Sequence, residues 1–178
     1  MSKKFEHTTV RVELGARSYN IVIGAGLIEN TGAYLKQVAT PSRVIIVTDE
    51  NVALHWLEKL TQSLEKECLS ILTKILPPGE QTKSMDQINA LINWMLDQNI
   101  DRKSVVLALG GGVIGDLSGF AAAITLRGLP YVQIPTSLLA QVDSSVGGKT
   151  GVDTYHGKNL IGAFHQPQLV LADIQSLS

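Results

Sequence analysis

A single cysteine, Cys68, stands in a chain of 178 residues. That excludes an internal disulfide framework and a cysteine-built zinc cluster. Aromatic residues are also scarce: two Trp, four Tyr and three Phe. So few rings leave no platform on which single-stranded bases would stack. The formal net charge is only −1, which argues against the basic footprint of a nucleic-acid or membrane-surface binder. No apolar run approaches the ~18 residues of a membrane span. The opening residues, Met1-Ser2-Lys3-Lys4-Phe5-Glu6-His7, lack the apolar core of a signal peptide. What the chain does have is 44% hydrophobic and 17% charged residues, a balance that excludes disorder and suffices for one domain with a real core. The expectation is a soluble, cytoplasmic globular protein without a nucleic-acid or membrane partner.

Hydrophobic periodicity organises the chain. Residues 8–23 alternate, with Val10, Val12 and Leu14 on one side and Thr9, Arg11 and Glu13 on the other. A turn near Gly15-Ala16-Arg17-Ser18 makes this a β-hairpin, and residues 27–38 read as a short helix. Val44-Ile45-Ile46-Val47 is a continuous β-branched run of the kind buried on both faces of a parallel sheet. Helical spacing follows at Ala53, Trp56, Leu57, Leu60 and Leu64, then a strand over 69–76. Met85, Ile88, Leu91, Ile92 and Met95 share one helical face. Strands are predicted at 105–109, 131–134 and 169–173, and a helix at 116–126 that is apolar on most sides and so covered by other elements. Alternating strands and helices predict a doubly wound, mostly parallel α/β sheet preceded by the hairpin. Residues 127–168 are rich in Gly, Ser, Lys and Asp with weak periodicity, and read as loops and short helices forming a site.

In such sheets ligands sit beyond the carboxyl ends of strands, and the informative residues lie there. Gly110-Gly111-Gly112-Val113-Ile114-Gly115-Asp116 follows a strand and opens a helix. Glycines at Gly110, Gly112 and Gly115 let backbone approach a phosphate, and a helix start offers unpaired N–H groups. A tight, closely packed turn is the plainer alternative, since no acidic residue lies ~20 positions on as the usual dinucleotide fingerprint requires. Asp49 ends the first parallel strand and suits either ribose hydroxyls or a helix N-cap. Pro77-Pro78-Gly79-Glu80-Gln81-Thr82-Lys83 reads on its own as a turn and a solvated first helical turn. Val146-Gly147-Gly148-Lys149-Thr150 invites a P-loop reading, but Asp143 stands where its first glycine belongs and would oppose a phosphate. Arg127, Asp143, Lys149, Lys158 and Asn159 each read singly as solvated loop groups, yet together they suit an anionic, hydroxylated ligand. His7, His55, His156 and His165 form no metal-ligand spacing. His55 reads as a partly exposed helix residue, while His156 and His165 are candidates to line a cleft.

Four segments together carry a resemblance. They are Pro78-Gly79-Glu80-Gln81-Thr82-Lys83-Ser84, the run from Leu107 through Gly110-Gly111-Gly112 to Asp116, Pro135-Thr136-Ser137 through Asp143 to Lys149-Thr150, and Gly157-Lys158-Asn159-Leu160-Ile161-Gly162-Ala163-Phe164. The sequence resembles the 3-dehydroquinate synthase family over nearly its whole length. The resemblance implies a Rossmann-like fold and an NAD-dependent cyclisation of 3-deoxy-D-arabino-heptulosonate 7-phosphate, a sugar-acid phosphate, to 3-dehydroquinate. Phosphate is released, as part of aromatic amino-acid biosynthesis. It places NAD at Asp49, Asn51, Gly79, Glu80, Gln81, Thr82, Lys83, Gly111, Gly112, Val113, Ile114, Gly115, Asp116, Thr136 and Ser137, with Lys149 and Lys158 nearby. Substrate falls to Arg127, Asp143, Lys149 and Asn159.

The implied chemistry starts from a C–H too weakly acidic to lose its proton. Hydride transfer to NAD turns the neighbouring alcohol into a ketone, phosphate leaves by elimination, and the hydride returns before ring closure. The family also uses a divalent metal, zinc or cobalt, held by a Glu and two His in a helical C-terminal domain. None of those ligands matches this chain, so it is expected to be the N-terminal NAD domain alone, able to fold but inactive by itself. Its 127–165 loops are then expected to be less ordered than beside that partner domain. The resemblance further implies a homodimer. A metal- and NAD-dependent polyol dehydrogenase, another sugar-phosphate cyclase, and a non-catalytic dinucleotide-binding module are the alternatives.

Overall fold

The computed structural model describes residues 7–178. These residues form nine strands and five α-helices. The strands are β1 (Thr8–Val12), β2 (Tyr19–Gly24), β3 (Val44–Asp49), β4 (Ile71–Leu76), β5 (Val105–Gly110), β6 (Tyr131–Pro135), β7 (Lys149–Thr154), β8 (Gly157–Phe164) and β9 (Leu169–Asp173). The helices are α1 (Thr31–Val38), α2 (Glu50–Val52), α3 (Glu58–Glu65), α4 (Met85–Asp97) and α5 (Gly112–Ile124). Seven strands form one sheet in the order β1-β2-β9-β6-β5-β3-β4. Only β1 and β2 pair antiparallel, as the expected hairpin; the other neighbours are parallel.

The β-branched run of β3 is buried on both sides because successive side chains point to opposite faces. Val44 and Ile46 pack with Leu35, Leu60 and Leu64 from α1 and α3. Ile45 and Val47 pack with Ile88, Leu91, Met95, Leu117 and Phe120 from α4 and α5. A π-helical turn, Ala53–Leu57, joins α2 to α3 into the helix expected from the spacing. Over 27–38 the expected helix is split into a 3-10 turn, Ile28–Asn30, and α1.

Two expectations are corrected. Helix α5 starts at Gly112, four residues before the predicted 116. Glycine's poor helix propensity argues against those positions, but tertiary packing overrides it. A Cβ on Gly115 would lie 2.6 Å from Gln133 Oε1, so the helix packs directly on that buried side chain of β6 and a larger residue would have to displace it. The second correction concerns 127–168. Instead of loops and short helices alone, it holds a π-helical turn, Ala140–Ser144, and an antiparallel hairpin of β7 and β8. Gly151 and Gly162 face each other across that hairpin. A Cβ on Gly162 would fall 2.0 Å from the Thr150 carbonyl oxygen, so close pairing uses the glycines that made the segment look like loop. The hairpin packs over α5, which explains why that helix is apolar on most sides.

Candidate functional site

From β3 the chain runs outward to β4 and then crosses to β5 on the other side of β3. Such a reversal opens a crevice beyond the strands' carboxyl ends. A cleft of about 340 Å³ lies there, lined among others by Asp49, Asn51, Gly79, Gly111, Gly112 and Ser137. Val113, Ile114 and Thr136 line it as well. Helix α5 points its N-terminus into this cleft with Gly111 as N-cap, no side-chain cap bond and no acidic residue in the first turn. Its first N–H groups and partial positive charge are therefore open to an anion.

Asp49 resolves the choice left by its spacing. Its Oδ1 accepts from the backbone N–H groups of Asn51 (2.9 Å) and Val52 (3.0 Å), capping α2. No bond among the described residues uses Oδ2, and the residue lines the cleft, so the cap also presents a carboxylate oxygen to a ligand. The loop after β4 is pinned from within: Thr82 Oγ1 donates to the Pro77 carbonyl (2.7 Å) and Gln81 Nε2 to the Pro78 carbonyl (2.9 Å).

A second cavity, of about 660 Å³, lies between α5, the π turn and the β7–β8 hairpin. Asp116, Asp143, Ser144, Lys149, Asn159 and Phe164 are among its lining residues. Four charged or amide groups chosen from sequence thus converge. Burial pushes the Asp116 carboxyl above its ordinary range, while the neighbouring Lys83 pulls the other way. Lys83 is not the solvated loop group its sequence suggested. It is 5% exposed, with its ammonium on Asp116 Oδ2 and Asn159 Oδ1. Closure of the hairpin over the loop buries it.

Other sequence candidates stand apart. Arg127 is exposed at the far end of α5, where Leu126 (φ 50°) and Arg127 (φ 67°) both take left-handed backbone. Thirteen residues of helix, about 20 Å at 1.5 Å per residue, separate it from the cleft, and it lines neither cavity. Lys158 is exposed and pairs with Glu80 at 2.9 Å, which raises its pKa; it too lines neither. Gly115 packs on Gln133 rather than facing a ligand. Lys149 opens a strand, not a helix, in keeping with rejection of the P-loop.

The structure adds Ser144, whose Oγ lies 3.1 Å from where a Gly112 Cβ would be. Only membership of the Gly/Ser-rich segment hinted at it. His165 stacks on Tyr131 at 5.2 Å and His156 sits beside Tyr155 at the hairpin tip, so neither reaches these two cavities. A third cavity of about 1060 Å³, near His7, Tyr34, His55 and Trp56, contains none of the predicted binding residues. Among the described residues, no three His, Cys, Asp or Glu side chains gather as a metal site, and no helix is long and apolar enough to cross a membrane.

Sheet order, switch-point cleft and glycine-opened helix define a Rossmann-like α/β domain of the dinucleotide-binding kind. Two solved synthases share it. A 2-deoxy-scyllo-inosose synthase, complexed with carbaglucose-6-phosphate, NAD+ and Co2+, superimposes with a TM-score of 0.87 at 26% identity over 96% of this chain and 47% of that one. The 2-epi-5-epi-valiolone synthase of Streptomyces hygroscopicus subsp. jinggangensis 5008, with NAD+ and Zn2+ bound, gives 0.80 at 30% identity over 95% and 46%. Residues 73–178 match the family model for the N-terminal region of 3-dehydroquinate synthase. The 3-dehydroquinate synthases of Ruegeria pomeroyi (58% identical) and Jannaschia sp. (56%) match 93% and 95% of the chain. This chain belongs to the 3-dehydroquinate synthase family, and it spans about half the length of those relatives, 45% and 46%.

Proposed function

We propose that the chain is the NAD-binding part of a 3-dehydroquinate synthase. That enzyme, a phosphate-eliminating lyase, closes 3-deoxy-D-arabino-heptulosonate 7-phosphate to 3-dehydroquinate. One observation carries the reading: the uncapped N-terminus of α5 opens into the switch-point cleft beside the unused oxygen of Asp49. Those residues fit a dinucleotide, with the amides of Gly112, Val113 and Ile114 for the pyrophosphate and Asp49 for a ribose. Bound NAD would supply a reversible hydride acceptor. In the second cavity Lys149 offers an exposed ammonium to a phosphate or carboxylate oxygen, and Asp143 and Asn159 would orient hydroxyl groups. Any divalent metal would be held by residues outside this chain, so the chain alone is inactive.

Titration calorimetry with NAD tests this on wild type and Gly112→Asp. The new carboxylate would occupy the phosphate position, and NAD binding should vanish. Folding stability should change little, because the about 0.3–1 kcal/mol that an acidic residue contributes at a helix start is offset by the shift asked of Ser144 Oγ, 3.1 Å from the new Cβ. Unchanged NAD affinity in the variant refutes the assignment. Formation of 3-dehydroquinate by the purified chain at a full-length enzyme's rate would refute its inactivity alone.

A further inference from the structure

Two serines flank the start of α5. A Cβ on Gly111 would lie 3.4 Å from Ser137 Oγ, and one on Gly112 would lie 3.1 Å from Ser144 Oγ. Their surroundings differ. Ser137 lines the cleft, and its hydroxyl is already used, accepting from the Ala140 N–H (3.3 Å). Ser144 lines the second cavity, and no hydrogen bond among the described residues uses its Oγ. Gly112 lines the cleft, so Gly112 and Ser144 stand on either side of the boundary between the two cavities. The free hydroxyl does not hang from a loose loop. Ser144 closes the π turn Ala140–Ser144, and the next residue, Ser145, is fully buried with its N–H on the Ala140 carbonyl (3.1 Å). Gln141 clasps the same turn to the sheet, its Nε2 donating to the carbonyls of Pro135 (3.1 Å) and Asp173 (2.9 Å) at the ends of β6 and β9.

Direction matters as well as distance. Side chains of a helix tilt toward its N-terminus, so a Cβ on Gly112 would point toward the space over the open amides. Ser144 Oγ lies against that position, on the flank of the ground a pyrophosphate would occupy. A serine hydroxyl has one proton to donate, and a bond from it to an ionised phosphate oxygen is of the strong, charge-assisted kind. Resting on the reading of the cleft as the dinucleotide site, we infer that Ser144 is a further cofactor-binding residue. Its hydroxyl donates to a pyrophosphate oxygen from the side of the second cavity, beside the amides of Gly112 and Val113. Glycine at 112 then serves two contacts, because a side chain there would crowd the serine as well as the phosphate. The turn that carries Asp143 into the second cavity would grip the cofactor with its next residue, which fixes the spacing between the two ligands.

Calorimetric titration of the full chain with NAD and with ADP tests this on wild type, Ser144→Ala and Ser144→Thr. ADP carries the pyrophosphate without the nicotinamide nucleoside. Loss of one charge-assisted bond should weaken both ligands about tenfold or more in Ser144→Ala. Ser144→Thr keeps the hydroxyl and should bind both within about threefold of wild type. The urea midpoint of Ser144→Ala should match wild type, because no bond within the fold is lost. If Ser144→Ala instead lowers the midpoint and binds both ligands as wild type does, the serine is structural and the inference is overturned. Weakened NAD beside unchanged ADP also overturns it, since the hydroxyl would then meet the nicotinamide side and not the pyrophosphate. Should Ser144→Ala fail to fold, Ser144→Cys, whose thiol is a weak donor, gives the same comparison. Gly112→Asp abolishing NAD binding while Ser144→Ala leaves it unchanged overturns this inference and keeps the cleft reading. A wild-type chain that takes up no NAD overturns both.

Discussion

Replacing Asp49 with Asn separates two jobs that one carboxylate performs. Asn and Asp are comparable N-caps, so the amide oxygen of the substituted side chain can keep both bonds now made by Oδ1, at 2.9 and 3.0 Å. The NH2 group then stands where Oδ2 was, presenting a donor where a ribose hydroxyl needs an acceptor. Hydrogen bonds to charged groups contribute about 1.5–3 kcal/mol net. Losing one should weaken NAD binding by roughly 10- to 150-fold. Folding stability should stay within about 0.5 kcal/mol of wild type. Asp49→Ala should weaken NAD at least as much and also lose about 1 kcal/mol of stability with the cap. Calorimetric NAD titration and urea unfolding of the three proteins give the two readouts. If Asp49→Asn binds NAD like wild type while Asp49→Ala loses stability alone, Asp49 is a cap and nothing more, and the ribose role fails.

Two further outcomes follow from packing and burial. Gly162→Ala places a methyl 2.0 Å from the Thr150 carbonyl oxygen and should destabilise the β7–β8 hairpin by about 1–3 kcal/mol; an unchanged urea midpoint would show that the strands separate freely. Burial raises the Tyr131 pKa above its ordinary value near 10. A raised folded-state pKa means its contribution is fully present below about pH 10 and declines as pH climbs further toward the folded value. Wild type should therefore lose stability between pH 10 and pH 12 more steeply than Tyr131→Phe. Below that window the variant should be about 1 kcal/mol weaker, for its lost bond to the His165 carbonyl at 3.0 Å; equal slopes would contradict the burial argument.

Much of the sheet was legible because burial on both faces writes itself as a β-branched run, as in Val44-Ile45-Ile46-Val47. The cleft was legible for a related reason, since its glycines and Asp49 follow those runs directly. Hairpin β7–β8 was not, because β8 is mostly exposed and its glycines serve strand contact while resembling loop. Lys83 was read as solvated because charge type predicts exposure; only closure of a distant hairpin buries it. Arg127 and Lys149 look alike in sequence as cations in a polar stretch. Their placement, Arg127 past the C-terminal end of α5 and Lys149 at the start of β7, is a fact of topology that neither residue carries locally.

Strand β9 lies between β2 and β6, and Asp173 accepts from the Gly26 and Ile28 N–H groups, the former 147 residues away along the chain. On a ribosome adding 5–20 residues per second, the opening hairpin would wait roughly 7–30 s for its neighbour to be made. Throughout that interval Tyr19, Ile21 and Val22 have no β9 to cover them. The sheet can therefore be completed only by the last of its own strands to be synthesised, and a nascent chain halted before residue 169 offers a sticky, unpaired flank to chaperones or to other copies of itself.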